Sequence, residues 1–439
     1  GLFRYCSSYV LHPLMVLTFL QTAYLLALAS GAVLLRGPTG NSAKGKNSTH
    51  RYSKPHRQKL DNYYDLQYFA EMKVGTQVIK GIMDTGSFEL VTFSKHCTTC
   101  GRAAAYNERA SVSYLAGKHK IVQAYGSGSC KTSDGFDTVS FGPYKALHQA
   151  FWEATSCQMP VLDSASFNAI VGIGPPGQPE YTAREELADA TSRENTYGKT
   201  GTKAPKAVSD RKKQCQDNLK DSLEKPDLLE NMGVSTFSVC FGRNPGSPAW
   251  LTWNDKVTGD IPGLWKVKVV GEITWSVIIK DLGLHRHHDR TPPKQDTTRV
   301  GCKAGCTAIV DTGTSLFGVP SDVYESIERA VGPLDCNNLR DYPDLVMNLG
   351  GHEIRFPPSG YIGSMYGMMS ADAYKFMRHP PSNFRRAPMN NSIDTHAKRV
   401  EGGAGECQLL LMDLGYEVTK DGPLFILGMP FFREYYTTF

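Results

Sequence analysis

The stretches GIMDTGSFEL (Gly81 to Leu90) and TAIVDTGTSLF (Thr307 to Phe317) carry one motif twice. In each, an apolar run leads into Asp-Thr-Gly and a hydroxyl residue follows: Asp84, Thr85, Gly86 and Ser87 in the first, Asp311, Thr312, Gly313 and Thr314 in the second. An apolar run ended by Asp-Thr-Gly reads as a buried strand that holds a carboxylate at its rigid edge. Two such edges set face to face would bring the carboxylates close enough to share one proton. Like charges at that range cannot both ionise easily, so one carboxyl stays protonated while the other remains a base. A general acid beside a general base is the equipment needed to add water across an amide. A single Asp-Thr-Gly is an ordinary turn, but two with the same lead and the same following hydroxyl are a strong signal.

Around these motifs, short alternating or apolar runs are punctuated about every ten residues by Gly, Pro, Asn or Asp. Tyr68 to Val74, Val78 to Met83, Ile121 to Tyr125, Ala169 to Ile173 and Phe237 to Phe241 are examples. The later half repeats the habit from Trp265 to Val270, Thr274 to Ile279, Leu345 to Leu349 and Leu424 to Leu427. This predicts a mostly all-β chain, with helices few and best placed at Pro226 to Met232 and Asp322 to Ala330. Each half also has an apolar-apolar-Gly element well after its Asp, Ile170-Val171-Gly172 and Ile426-Leu427-Gly428, where the missing side chain lets one backbone pass close behind another. The pattern is a duplicated β-rich lobe with a cleft at the join.

The chain's 439 residues suffice for two lobes. Its net charge of +5 is slight, and the basic residues gather in loop-like segments (Lys199 to Lys225, His285 to Lys294, Arg378 to Arg399), so no nucleic-acid partner is expected. His285, His287 and His288 read as exposed loop residues rather than metal ligands. No metal or cofactor is implied. Among the eleven cysteines, no Cys-x-x-Cys pair has a second pair at finger-like spacing, so disulfides in an oxidising compartment are favoured over zinc. The expected pairs are Cys97–Cys100, Cys302–Cys306 and Cys336–Cys407, with Cys130–Cys157 as a fourth and Cys215 as a candidate for intermolecular pairing.

Residues 5–35 hold no Asp, Glu, Lys or Arg, and Leu14 to Leu35 is long enough to cross a bilayer as a helix. Residues 1–36 therefore read as a signal peptide or, on the length of the apolar run, a retained anchor that tethers the body to a membrane. Positive charge follows the segment rather than preceding it, which argues for a cytosolic body; the cysteines argue for a lumenal one and are given more weight. Residues 37–58 read as a basic flexible linker, and Asn47 and Asn390 lie in glycosylation sequons. Residues 59–256 would form the N-terminal lobe with a mobile charged insertion near 181–225. Residues 257–439 would form the C-terminal lobe, with insertions near 283–300 and 362–404.

From Leu60 to Phe439 the chain resembles the pepsin-like aspartic peptidases. LDNYYDLQYFAEMKVGT (60–76) resembles the family's opening strands, AYGSGS (124–129) its flap, CKAGCTAIVDTGTSLFGVP (302–320) its second active-site loop and ILGMPFFREYYTTF (426–439) the approach to its last strand. The apolar N-terminal segment, the charged insertions and Phe88 resemble in particular the apicomplexan plasmepsins. The resemblance implies a bilobal acid-protease fold with the cleft between homologous lobes. It implies Asp84 and Asp311 as a catalytic pair, Ser87 and Thr314 bonded to the outer carboxylate oxygens, and Thr85 and Thr312 tying the loops together beneath. Tyr125, Gly126 and Ser127 would form the flap over a bound polypeptide. Both motifs lie in one chain, so a monomer suffices. Two departures stand out. Val91 replaces the usual Trp whose indole supports the flap Tyr, and Phe88 and Glu89 replace small polar residues, which implies altered subsites. The resemblance also implies strands beyond Phe439, so the sequence reads as a fragment. The rival reading is an inert peptide-binding relative, but both aspartates and both hydroxyls are present.

Overall fold

The structure, a computed structural model, describes residues 32–36, 54–63, 65–199, 201–257, 264–286, 296–364 and 407–439. The duplicated pattern becomes two large sheets. Strand Gln77–Asp84 ends on the first Asp and lies parallel to Ala169–Gly172, with Asp84 opposite Gly172. Strand Cys306–Val310 leads into the second and lies parallel to Gly422–Leu427, with Val310 opposite Leu427. In each half a further short strand runs antiparallel to this parallel partner: Leu90–Phe93 in the first, Phe317–Val319 in the second. The two halves thus share their central construction, and the mostly β, two-lobed fold expected from the sequence is the one observed.

The first sheet has thirteen strands and extends from Leu264–Lys268 through the middle of the molecule to the hairpin of Leu115–Tyr125 and Gly128–Phe141. The second has nine, built around Ser276–Arg286, Cys306–Val310 and Gly422–Leu427. Alternation of side chains follows the pleat: Ile79, Gly81 and Met83 face inward from Gln77–Asp84, whereas Leu90–Phe93 is buried on both faces. One continuous apolar cluster spans both lobes. At their junction Phe237 stacks on Phe439, Trp275 meets both edge to face, and Trp253 lies tilted against Phe237, an arrangement that adds geometric preference to the burial of large rings.

Disulfides join Cys97 to Cys100, Cys130 to Cys157, Cys302 to Cys306 and Cys336 to Cys407. All three expected pairs and the fourth are present.

Several expectations need correction. Ala32–Arg36 is a strand, parallel to Leu264–Lys268 and to Tyr436–Thr438. The apolar sequence that seemed to lengthen an anchor therefore has a place in the interlobe sheet instead. No helix among the described residues is long and apolar enough to cross a membrane. The end of the supposed linker also folds: His56–Tyr63 pairs with Ala249–Trp253. Residues 1–31, Asn47, Asn390, His287, His288 and most of the insertion at 362–404 lie outside the described residues. His285 is buried in Ser276–Arg286, its Nδ1 within 2.9 Å of Thr297 Oγ1, and not in an exposed loop.

The largest correction is the charged insertion. It is two long helices, α1 (Gln178–Lys199) and α2 (Lys206–Glu224), packed as a hairpin. Ion pairs Lys212–Glu194 (2.7 Å) and Arg211–Glu186 (3.2 Å) cross between them, while Glu180–Arg184 and Asp189–Arg193 reinforce α1 at i,i+4 spacing. Cys215 is buried within this hairpin, so it offers no exposed thiol for intermolecular pairing. Of the two expected helices, Ser321–Val331 forms over its whole predicted length and Leu228–Asn231 covers the middle of the other.

Candidate active site

Each Asp-Thr-Gly loop binds its own carboxylate in the same way. Gly86 N–H donates to Asp84 Oδ1 at 2.9 Å, and the Ser87 hydroxyl donates to Oδ2 at 2.5 Å. Gly313 N–H donates to Asp311 Oδ1 at 2.7 Å, and the Thr314 hydroxyl donates to Oδ2 at 2.5 Å. One oxygen of each carboxyl thus faces a backbone donor and the other a hydroxyl.

Beneath them the two threonines cross-link the loops. Thr85 Oγ1 donates to the Val310 carbonyl at 2.8 Å and accepts from Thr312 N–H at 2.9 Å. Thr312 Oγ1 donates to the Met83 carbonyl at 2.5 Å and accepts from Thr85 N–H at 3.1 Å. Both side chains are buried, and leaving their partners unpaired would cost about 1–3 kcal/mol each. This mutual bonding fixes how closely the loops approach.

The approach is tight. A Cβ added to Gly86 would stand 2.6 Å from Asp311 Cγ, and one added to Gly313 would stand 2.8 Å from Asp84 Cγ. The glycine of each loop is therefore the surface against which the opposite carboxyl rests. Burial first, and then the charge of Asp311, raise the Asp84 carboxyl well above the usual carboxylate range. A neighbour of like charge in a dehydrated site is the condition under which two carboxyls hold one proton between them.

Backbone bonds support the loops from behind. Ile173 N–H donates to the Asp84 carbonyl at 2.8 Å and Gly174 N–H to the Ser87 carbonyl at 2.8 Å. Asp311 N–H donates to the Leu427 carbonyl at 3.0 Å, and Met429 N–H to the Thr314 carbonyl at 2.8 Å. A side chain at Gly172 would strike the backbone of Phe88 and Glu89, and one at Gly428 would strike the carbonyls of Thr314 and Leu316. The two glycines singled out in the sequence are close-approach positions.

Tyr125 ends one strand of the hairpin, pairs with Gly128, and leaves Gly126-Ser127 as a two-residue turn. Nothing lies within 4 Å of a Cβ placed at Gly126, so the tip is open. Cys130, just past the turn, is bonded to Cys157 and staples the hairpin to the next strand. Tyr125 is half-buried against the apolar cluster that contains Val91, Phe93 and Ile170. Burial, then the charges of Asp84 and Glu89, push its phenol up.

Sequence reasoning missed two contributors. Val91 is fully buried and lies opposite Trp152 in the neighbouring parallel strand. The Trp152 Nε1 donates to Glu89 Oε2 at 2.9 Å. The helical hairpin is the second. Asp221 of α2 pairs with His119 of the strand Leu115–Tyr125 at 3.3 Å. Lys225, just past α2, pairs with Asp221 and with Asp134 at 3.4 Å. At the other end of the insertion, the Tyr181 hydroxyl bonds Glu272 of the C-terminal half. The i,i+4 charge pairs were the available signal for these helices.

Facing, cross-bonded Asp-Thr-Gly loops between two β lobes define a bilobal aspartyl-protease architecture. The sequence profile of the family described as Eukaryotic aspartyl protease matches residues 67–193 and 257–383, and the chain belongs to that family. It is 26% identical to pepsin A of Bos taurus over 397 residues, 87% of this chain and 83% of the relative. It is 27% identical to cathepsin D of Rattus norvegicus over 352 residues, 75% of each chain. Gastricsin of Cavia porcellus is likewise 27% identical, over 71% of this chain and 72% of its own.

Proposed function

We propose that the chain is an aspartic endopeptidase in which Asp84 and Asp311 activate a water to hydrolyse a peptide bond. The observation that carries the reading is the equivalence of the two loops: the same backbone donor, the same hydroxyl and the same buried threonine hold each carboxyl against the other. A water between the carboxyls loses a proton to the ionised one as it attacks the scissile carbonyl. The protonated carboxyl donates to the carbonyl oxygen, and the tetrahedral diol collapses with proton transfer to the leaving nitrogen. The proton belongs to the pair rather than to one Asp. Ser87 and Thr314 position the carboxyl oxygens, and Thr85 and Thr312 fix their separation.

Tyr125, Gly126 and Ser127 close over an extended polypeptide, whose main chain the flap backbone can bond. The four disulfides among the described residues and the family of the relatives support a lumenal or extracellular body reached through the secretory pathway. The apolar segment ahead of Ala32 is the proposed signal for entry, and tethering through it would show as resistance to alkaline extraction from membranes. A monomer holds the whole site. The plasmepsin-like branch is part of this proposal and rests on the charged insertions and Phe88.

The test is hydrolysis of a quenched peptide library from acid to neutral pH, with and without a statine-type inhibitor. Turnover that the inhibitor blocks supports the reading. Folded protein that binds the inhibitor but cleaves nothing would establish the inert peptide-binding alternative.

A further inference from the structure

The loop after Ser87 carries a carboxyl that the water-activating pair does not use. Phe88 and Glu89 connect Ser87 to the buried strand Leu90–Phe93. Gly172 N–H donates to the Glu89 carbonyl at 3.0 Å, and the close pass of Gly172 leaves this backbone no room to slide. The Glu89 side chain is half-buried, with Oε2 held by Trp152 Nε1 at 2.9 Å. Among the described residues, Trp152 Nε1 is the group that hydrogen-bonds this carboxyl. Glu89 follows by two residues the Ser87 whose hydroxyl holds Asp84, and its partner Trp152 packs with Tyr125 against one apolar cluster; the charges of Asp84 and Glu89 both push the Tyr125 phenol up.

The cation whose charge reaches Glu89 is Lys225. That ammonium is already engaged by Asp221 and by Asp134 at 3.4 Å, and lies 5.2 Å over the Phe136 ring. Burial pushes the Glu89 carboxyl up, while the Trp152 N–H and Lys225 pull the other way. Among the described residues, Glu89 is therefore a fixed, partly dehydrated carboxyl with one neutral donor and no ion-pair partner. A charge in such a place is costly until it is paired. A guanidinium or ammonium brought by a ligand would supply the pairing through a charge-assisted hydrogen bond. Trp152 holds one oxygen in place and leaves the other for that cation.

We propose that Glu89 makes the subsite bounded by Tyr125 and Trp152 selective for a basic side chain, arginine or lysine, of an extended polypeptide substrate. This rests on the peptide-cleft reading above and adds to it the chemistry of one substrate residue. Glu89 acts in specificity and takes no part in moving the water's protons.

The experiment compares statine-type peptidomimetics, and matching quenched peptides, that carry arginine, lysine or norleucine at each position in turn. At one position the wild-type protein should bind and cleave the basic version about 10- to 100-fold better than the norleucine version. In Glu89→Gln that ratio should collapse towards one. The wild-type ratio decides the matter even if the variant fails to fold. Equal treatment of basic and norleucine peptides at every position by the wild type overturns the proposal while leaving the peptidase reading intact. So does a Glu89→Gln variant that keeps the full ratio. Failure of every statine compound to bind, with no peptide cleaved, overturns both.

Discussion

In the Asp84 loop and the Asp311 loop alike, a glycine N–H holds Oδ1, a hydroxyl holds Oδ2 and a buried threonine reaches across to the other lobe. Past that hydroxyl they part. Ser315 donates to the Leu66 carbonyl at 2.7 Å and so locks the second loop to the first lobe. In the corresponding stretch of the first loop, Glu89 instead accepts a hydrogen bond from Trp152 Nε1 of its own lobe at 2.9 Å. The inner, repeated part suits the symmetric task proposed for it, the sharing of one proton. The outer part is not repeated between the loops.

The symmetric half is most directly broken at its glycines. Gly86→Ala and Gly313→Ala each push a methyl group into the opposite carboxyl without removing any titratable group. Misplacement on that scale should lower turnover by about 100-fold or more. Hydrolysis of a quenched peptide checks it, and near-normal rates in either variant would show that the carboxyls do not need this approach.

Thr85→Val and Thr312→Val should each destabilise the fold by about 1–3 kcal/mol in denaturant unfolding. Because the two side chains share partners, the double variant should depart from additivity by about 0.5–3 kcal/mol. Strict additivity would mean that the threonines do not form one unit.

Proton linkage gives a third test. The folded state holds the Asp84 proton at pH values where an unfolded carboxyl has released it. Stability from this group is thus fullest at and below the ordinary carboxylate range and declines as pH rises towards the raised pKa. Asp84→Asn should flatten that decline in a plot of Tm against pH. An unchanged slope would assign the effect elsewhere.

The smallest effect is expected at the outer edge. Lys225→Ala removes one ion pair from the helical insertion to Asp134 of the strand Gly128–Phe141, together with its pair to Asp221 within the insertion, and such pairs are weak. KM should rise by no more than about fivefold with kcat little changed. A collapse of kcat would show that the insertion does more than brace the flap hairpin.

The legibility of the sequence follows the same division. The Asp-Thr-Gly strands, the close-pass glycines Gly172 and Gly428 and the flap turn were readable because each is a local pattern with a local physical cause. Trp152 was not, since its bond to Glu89 joins residues 63 apart in sequence, and no periodicity encodes that. The helical hairpin was misread because its helices bury little: Ala183 and Ala190 from α1 and Cys215 from α2. Without a broad apolar stripe, the remaining evidence was helix-forming composition and i,i+4 charge pairs. Ala32–Arg36 was misread for the opposite reason. An apolar run destined for a sheet and one destined for a membrane differ in length, and here the strand continued a longer apolar segment.

The central claim is that Asp84 and Asp311 act as one unit, and the kinetics of Asp84→Asn, Asp311→Asn and the double variant on a single quenched peptide test it most directly. Groups that work as a unit lose nearly everything when either is removed, so the three variants should show the same residual rate, down by about 1,000-fold or more. A single variant that keeps substantial turnover, or a double variant whose loss is the product of the two single losses, would contradict the account.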